Sequence, residues 1–124
     1  MKTILIVEDN EKNMKLARDV LQAKGYQTLE AVSGEEGVRL AREKLPDLVL
    51  MDIQLPGING IEAFRLIRAD AGTARIPVVA LTASVTPTDR SAIGAAGFDA
   101  FVSKPISLRE FLDTVKRLVE GGRK

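Results

Sequence analysis

Three apolar runs interrupt an otherwise mixed chain: Thr3–Val7 (TILIV), Asp47–Met51 (DLVLM) and Pro77–Leu81 (PVVAL). Each is continuous rather than alternating, the pattern of a strand covered on both faces. Two further runs, Gln27–Val32 (QTLEAV) and Asp99–Ser103 (DAFVS), are shorter or more polar and suit the edges of the same sheet. Between the runs the period becomes helical. Met14, Leu16, Ala17, Val20 and Leu21 form one predicted stripe, and Val38, Leu40, Ala41 and Leu45 a second. Phe111, Leu112, Val115, Leu118 and Val119 form another near the end of the chain.

Punctuation agrees with the stripes. Ser33 with Glu36 and Ser107 with Glu110 have capping-box spacing, and Thr86-Pro87-Thr88-Asp89 offers a cap hydroxyl, a first-turn proline and an acid. Gly25 and Gly121 stand where helices should stop. Strand and helix thus alternate five times with short connections, which requires parallel pairing through right-handed crossovers. With the most apolar strands central, the pattern predicts an α/β, flavodoxin-like (βα)5 sandwich with strand order 2-1-3-4-5. Its crevice lies at the carboxyl ends of the first and third strands, where the winding reverses.

Composition narrows the function. The 124 residues suit one domain, expected over 1–124 without an output domain. Lys and Arg number 18 against 17 for Asp and Glu, so no basic excess favours nucleic acid or a lipid surface. Aromatic residues, at 4 %, are too few for base-stacking platforms. Glu8-Asp9-Asn10 cuts the N-terminal apolar run short of a signal core, and no stretch reaches bilayer length, so a cytoplasmic location is expected. Cysteine and histidine are absent. Thiol chemistry is excluded, and any imidazole must come from a partner.

The run DLVLM ends on Asp52, and TILIV ends on Glu8-Asp9, so the predicted topology gathers three carboxylates in the crevice. Two carboxylates about 4 Å apart repel by roughly 4 kcal/mol at an effective dielectric of about 20, so the cluster calls for a cation or a proton. Mg²⁺ accepts such an all-oxygen set, and the backbone carbonyl of Gln54 offers one more ligand. Taken singly, these acids read equally well as solvated strand ends, with Asp9 or Asn10 capping the next helix. Thr82 and Lys104 end the fourth and fifth strands and point to the same crevice, although a strand-end Thr is commonly a turn residue and a Lys before Pro a surface charge. Together, acids, hydroxyl and ammonium are the parts needed to hold a phosphoryl group on a carboxylate.

VEDN, LMDIQLPG with a further glycine, LTA and SKP, in this order and spacing, resemble the receiver domain of bacterial two-component response regulators. ILIVEDNEKNMKL, PDLVLMDIQLPGI, IPVVALTA and SKPIS further resemble the stand-alone cell-cycle and polar-differentiation members of that family. The resemblance implies Asp52 as phosphoacceptor, Asp9 as direct Mg²⁺ ligand and Glu8 as an outer acid acting through water. It also implies Thr82 as switch hydroxyl, Lys104 as phosphate-pairing lysine, a cis peptide before Pro105, and Phe101 as the aromatic that turns inward behind Thr82. Because Phe101 has no hydroxyl to desolvate, its inward state is expected to be partly populated without phosphate. Gln54 and Ser84 flank the site and should tune acyl-phosphate lifetime.

The implied partners are a sensor histidine kinase or histidine phosphotransfer protein, and a downstream protein bound through the fourth helix, fifth strand and fifth helix. The fourth helix, poor in bulky apolar residues, is expected to be the movable element. The chain is expected to be a monomer or a weak phosphorylation-dependent dimer, a switch that assists its own Mg²⁺-dependent phosphorylation and dephosphorylation rather than an enzyme. Alternatives are a relay intermediate or phosphate sink with the same chemistry, an aspartate-based phosphohydrolase, for which Gln54 stands where a second acid is wanted, and an FMN carrier, for which aromatics are short.

Overall fold

The computed structural model describes residues 2–55, 57–83, 87–104 and 106–121. In chain order the elements are β1 (Thr3–Val7), α1 (Glu11–Ala23), β2 (Gln27–Ala31), α2 (Gly34–Lys44), β3 (Leu48–Asp52), α3 (Gly60–Ala69), β4 (Val78–Thr82), α4 (Pro87–Ala96), β5 (Ala100–Ser103) and α5 (Leu108–Gly121). The strands form one parallel sheet in the order β2-β1-β3-β4-β5. The fold class and strand order predicted above therefore hold. β1, β3 and β4 are buried almost throughout, and the half-exposed β2 and β5 lie at the edges.

Successive strand residues face opposite ways, which divides the core in two. Ile4, Ile6, Leu48, Leu50, Val79 and Leu81 meet Met14, Ala17 and Leu21 of α1 and Phe111, Val115 and Leu118 of α5. Leu5, Val7, Val49, Met51 and Val78 meet Val38 and Ala41 of α2 and Ala63, Phe64 and Ile67 of α3. Covering both faces with helices is what keeps these strands continuously apolar.

Several boundaries differ from the sequence reading. Leu16 is exposed because it lies two residues from Met14, on the opposite side of a 3.6-residue turn. Leu45 is exposed because α2 has already ended; it takes a left-handed conformation (φ 47°) while its N–H donates to the Ala41 carbonyl. Val32 lies beyond β2 and is exposed. Asp47 and Asp99 precede their strands, where their carboxylates accept the N–H groups of Thr3 and Val78, both at 2.8 Å. Asp99 also pairs with Arg68 at 2.6 Å, and Arg68 lies over the Phe64 ring, 4.8 Å from its centroid. That network ties α3, β4 and β5 together at the amino ends of the strands, leaving the carboxyl ends for chemistry.

Candidate functional site

The carboxyl ends of β1, β3, β4 and β5 carry Glu8, Asp9, Asp52, Thr82 and Lys104 into one cleft. Asp52 is the last residue of β3, where the pleat that buries Met51 leaves it 3 % exposed. Its Oδ1 accepts the N–H of Gln54 at 3.1 Å, and its Oδ2 lies 2.9 Å from Lys104 Nζ. Both oxygens are held, so the plane of the carboxylate is set. Lys104 Nζ also donates to Glu8 Oε1 at 2.6 Å, spanning the sheet from β5 to β1. Thr82 anchors this reach, because its carbonyl accepts the Lys104 N–H at 2.8 Å.

Glu8 is 1 % exposed, and its second oxygen accepts the Asn10 N–H at 3.2 Å. Asn10, rather than Asp9, caps α1, its Oδ1 accepting from the N–H groups of Lys12 and Asn13. That division leaves Asp9 exposed beside the two buried acids. One oxygen from each of Glu8, Asp9 and Asp52 lies within 4.8 Å of the others.

Burial pushes the Glu8 carboxyl up, and hydrogen bonding and repulsion from Asp52 push it further, so that it rises from 4.5 to about 7 despite Lys104 and the Asn10 amide. Burial acts on Lys104 to lower its pKa, but its hydrogen bonds to Glu8 and Asp52 outweigh burial and raise it. Lys104 therefore stays charged. The hard oxygen donors fit Mg²⁺ in type.

The predicted residues Glu8, Asp9, Asp52, Gln54, Thr82 and Lys104 are thus gathered at these strand ends. Gln54 reaches Asp52 through its amide N–H. Phe101 stands on β5 with 38 % of its surface exposed, so it is not a plain core residue. Pro105, Ser84 and Thr86 lie outside the described residues.

The role of Gly60 was not legible beforehand, although the glycine belongs to the quoted motif. As the first residue of α3 it presses against the carbonyl of Asp52, and a Cβ there would stand 2.8 Å from Ile53 Cα. Gly34 does the same for the loop after β3: a Cβ would come within 2.8 Å of Ile58 Cγ1. Neither approach leaves a periodicity signal.

Residues 4–116 match the family model for the response regulator receiver domain. The chain belongs to that family. This receiver domain is 48 % identical over 115 residues, 93 % of the chain and 94 % of the relative, to the polar-differentiation response regulator DivK of Brucella ovis. In structure it is similar to the receiver domain of a sensor histidine kinase from Pseudomonas aeruginosa PAO1, which has a magnesium ion coordinated in its active-site cleft (34 % identity, TM-score 0.90, 96 % and 98 % of the two chains). It is also similar to the chemotaxis protein CheY4 of Vibrio cholerae (25 % identity, TM-score 0.88, 94 % and 98 % of the two chains). As a receiver domain it has the phosphoacceptor function of two-component signalling. Among the described residues no helix is long and apolar enough to cross a membrane.

Proposed function

We propose that Asp52 is the phosphoacceptor and that the receiver domain works as a protein-affinity switch. The carrying observation is the Lys104 ammonium, 2.9 Å from Asp52 and 2.6 Å from Glu8, which joins a buried acidic pair to a single cation. A carboxylate oxygen of Asp52 attacks the phosphorus of a partner's phosphohistidine. A P–O bond forms as the P–N bond breaks, and the electron pair leaves with the partner's imidazole. The absence of histidine from the chain is consistent with an imidazole donor in a kinase or phosphotransfer protein.

Lys104 then pairs with a phosphoryl oxygen while the Thr82 hydroxyl donates to another. Asp9, Asp52 and the Gln54 carbonyl would hold Mg²⁺, with Glu8 acting through water, and the ion would supply the remaining neutralisation of phosphoryl charge. Movement of Thr82 toward the phosphoryl group draws Phe101 inward, which alters the surface of α4, β5 and α5 offered to a downstream protein.

Intact mass after incubation with acetyl phosphate, with and without Mg²⁺, tests the reading against Asp52→Asn. One Mg²⁺-dependent phosphoryl addition, lost in the variant, is expected. An addition that persists in the variant would place the acceptor elsewhere.

A further inference from the structure

The outer face of α5 carries a stripe that the phosphoacceptor chemistry does not use. Arg109, Asp113, Lys116 and Glu120 recur at spacings of four, three and four, so they lie along one side of the helix, and all four are exposed. Their signs alternate. Among the described residues none of the four enters an ion pair within 4.0 Å, although i,i+4 spacing offers Arg109 to Asp113 and Lys116 to Glu120. Helix α2 shows the contrast: Arg39, in the same order relative to Glu43, closes on it at 3.0 Å. The stripe also runs against its own helix. Arg109 stands in the first turn, where the macrodipole favours acids, and the last turn holds Glu120 but no base.

An antiparallel copy of the same helix resolves both features. About a twofold axis between Thr114 and Val115, residue 109 faces 120 and residue 113 faces 116, so each facing pair joins opposite charges. Each Glu120 then lies beside the other helix's N-terminus and each Arg109 beside its C-terminus. The stripe also forms one wall of a groove of about 520 Å³, lined in addition by Leu112, Tyr26 and Lys24, which gives long side chains of a second copy room to lie down.

We propose that α5 is a self-association surface on which two copies of this chain pair antiparallel, Arg109 against Glu120 and Asp113 against Lys116. The pairing is isologous, as a twofold dimer requires. One helix face with exposed ion pairs makes a weak dimer, strengthened at low ionic strength. None of the four residues belongs to the acidic cleft, so the pairing does not require a phosphoryl group.

Sedimentation equilibrium on the full chain, at increasing protein concentration in low and high salt, reads the proposal. Wild type is expected to dimerise at low salt and to dissociate at high salt. Asp113→Lys and Lys116→Asp should each be monomeric alone, since each faces like with like, yet an equimolar mixture should form a heterodimer. The double variant, with the charges exchanged, should dimerise as wild type does. Glu62→Lys mixed with Arg65→Asp, a charge-matched pair on the exposed face of α3, controls for non-specific attraction, and circular dichroism confirms folding. The proposal is overturned if wild type stays monomeric at every concentration in low salt. It is equally overturned if Asp113→Lys alone dimerises like wild type, or if the control mixture associates as strongly as the α5 mixture.

Discussion

The Lys104 ammonium, just past β5, and the Asp52 carboxylate, at the end of β3 with β4 between the two strands, lie 2.9 Å apart. The same ammonium holds Glu8, so one cation serves two buried acids. Lys104→Met should therefore leave those acids without their cation, slowing phosphorylation by acetyl phosphate at least about tenfold while tightening Mg²⁺ binding, because the competing charge is gone. Calorimetric Mg²⁺ titration beside intact-mass kinetics checks both signs. Unchanged phosphorylation would remove Lys104 from the chemistry.

Asp9 is the exposed member of the trio and takes no part in the Lys104 bridge. Asp9→Asn should raise metal-free stability by roughly 1 kcal/mol through relief of like-charge repulsion. It should also weaken Mg²⁺ binding at least about tenfold. Urea denaturation with and without Mg²⁺ reads both, and a metal-free loss of stability would contradict the repulsion argument.

The raised Glu8 carboxyl makes metal-free stability depend on pH. Between 4.5 and about 7 the folded chain holds a proton that the unfolded chain has released. The contribution of Glu8 is therefore fully present below 4.5 and is lost as pH rises through about 7. Metal-free wild type should lose melting temperature over that interval relative to Glu8→Gln. Mg²⁺ affinity should run the other way, rising with pH as Glu8 ionises. A parallel pH profile for wild type and variant would refute the assignment.

Gly60 and Gly94 are both helical glycines with opposite surroundings. A Cβ at Gly60 collides with the backbone of Asp52 and Ile53, whereas a Cβ at Gly94 meets nothing within 4 Å. Gly60→Ala should cost about 2 kcal/mol and slow phosphorylation by shifting Asp52. Gly94→Ala should stabilise by roughly 0.5–1 kcal/mol, as alanine replaces glycine in an exposed helix. Equal effects of the two substitutions in urea denaturation would show that the contact at Asp52 is not limiting.

Strand number, strand order and the cleft's acids were legible because each leaves a local mark. Continuous apolar runs report two-sided burial, and charged residues directly after such runs report strand ends. Leu16 and Leu45 misled because an apolar side chain alone does not say which side of a turn it occupies or whether the helix has ended. The Gly60 contact and the Gln54 amide on Asp52 were illegible for a different reason: they are backbone approaches, and backbone is the same at every residue.

The sequence by itself determined the alternation of strand and helix, the central strands and the candidates at their carboxyl ends, since periodicity and chain connectivity are local properties of the chain. Only the tertiary structure decided that Lys104, just past β5, reaches past β4 to join Asp52 on β3 and Glu8 after β1. Residues separated by 52 and 96 positions meet because parallel crossovers lay distant segments side by side. The elevation of Glu8 follows from the same convergence, because desolvation and a neighbouring carboxylate exist only once the sheet has assembled.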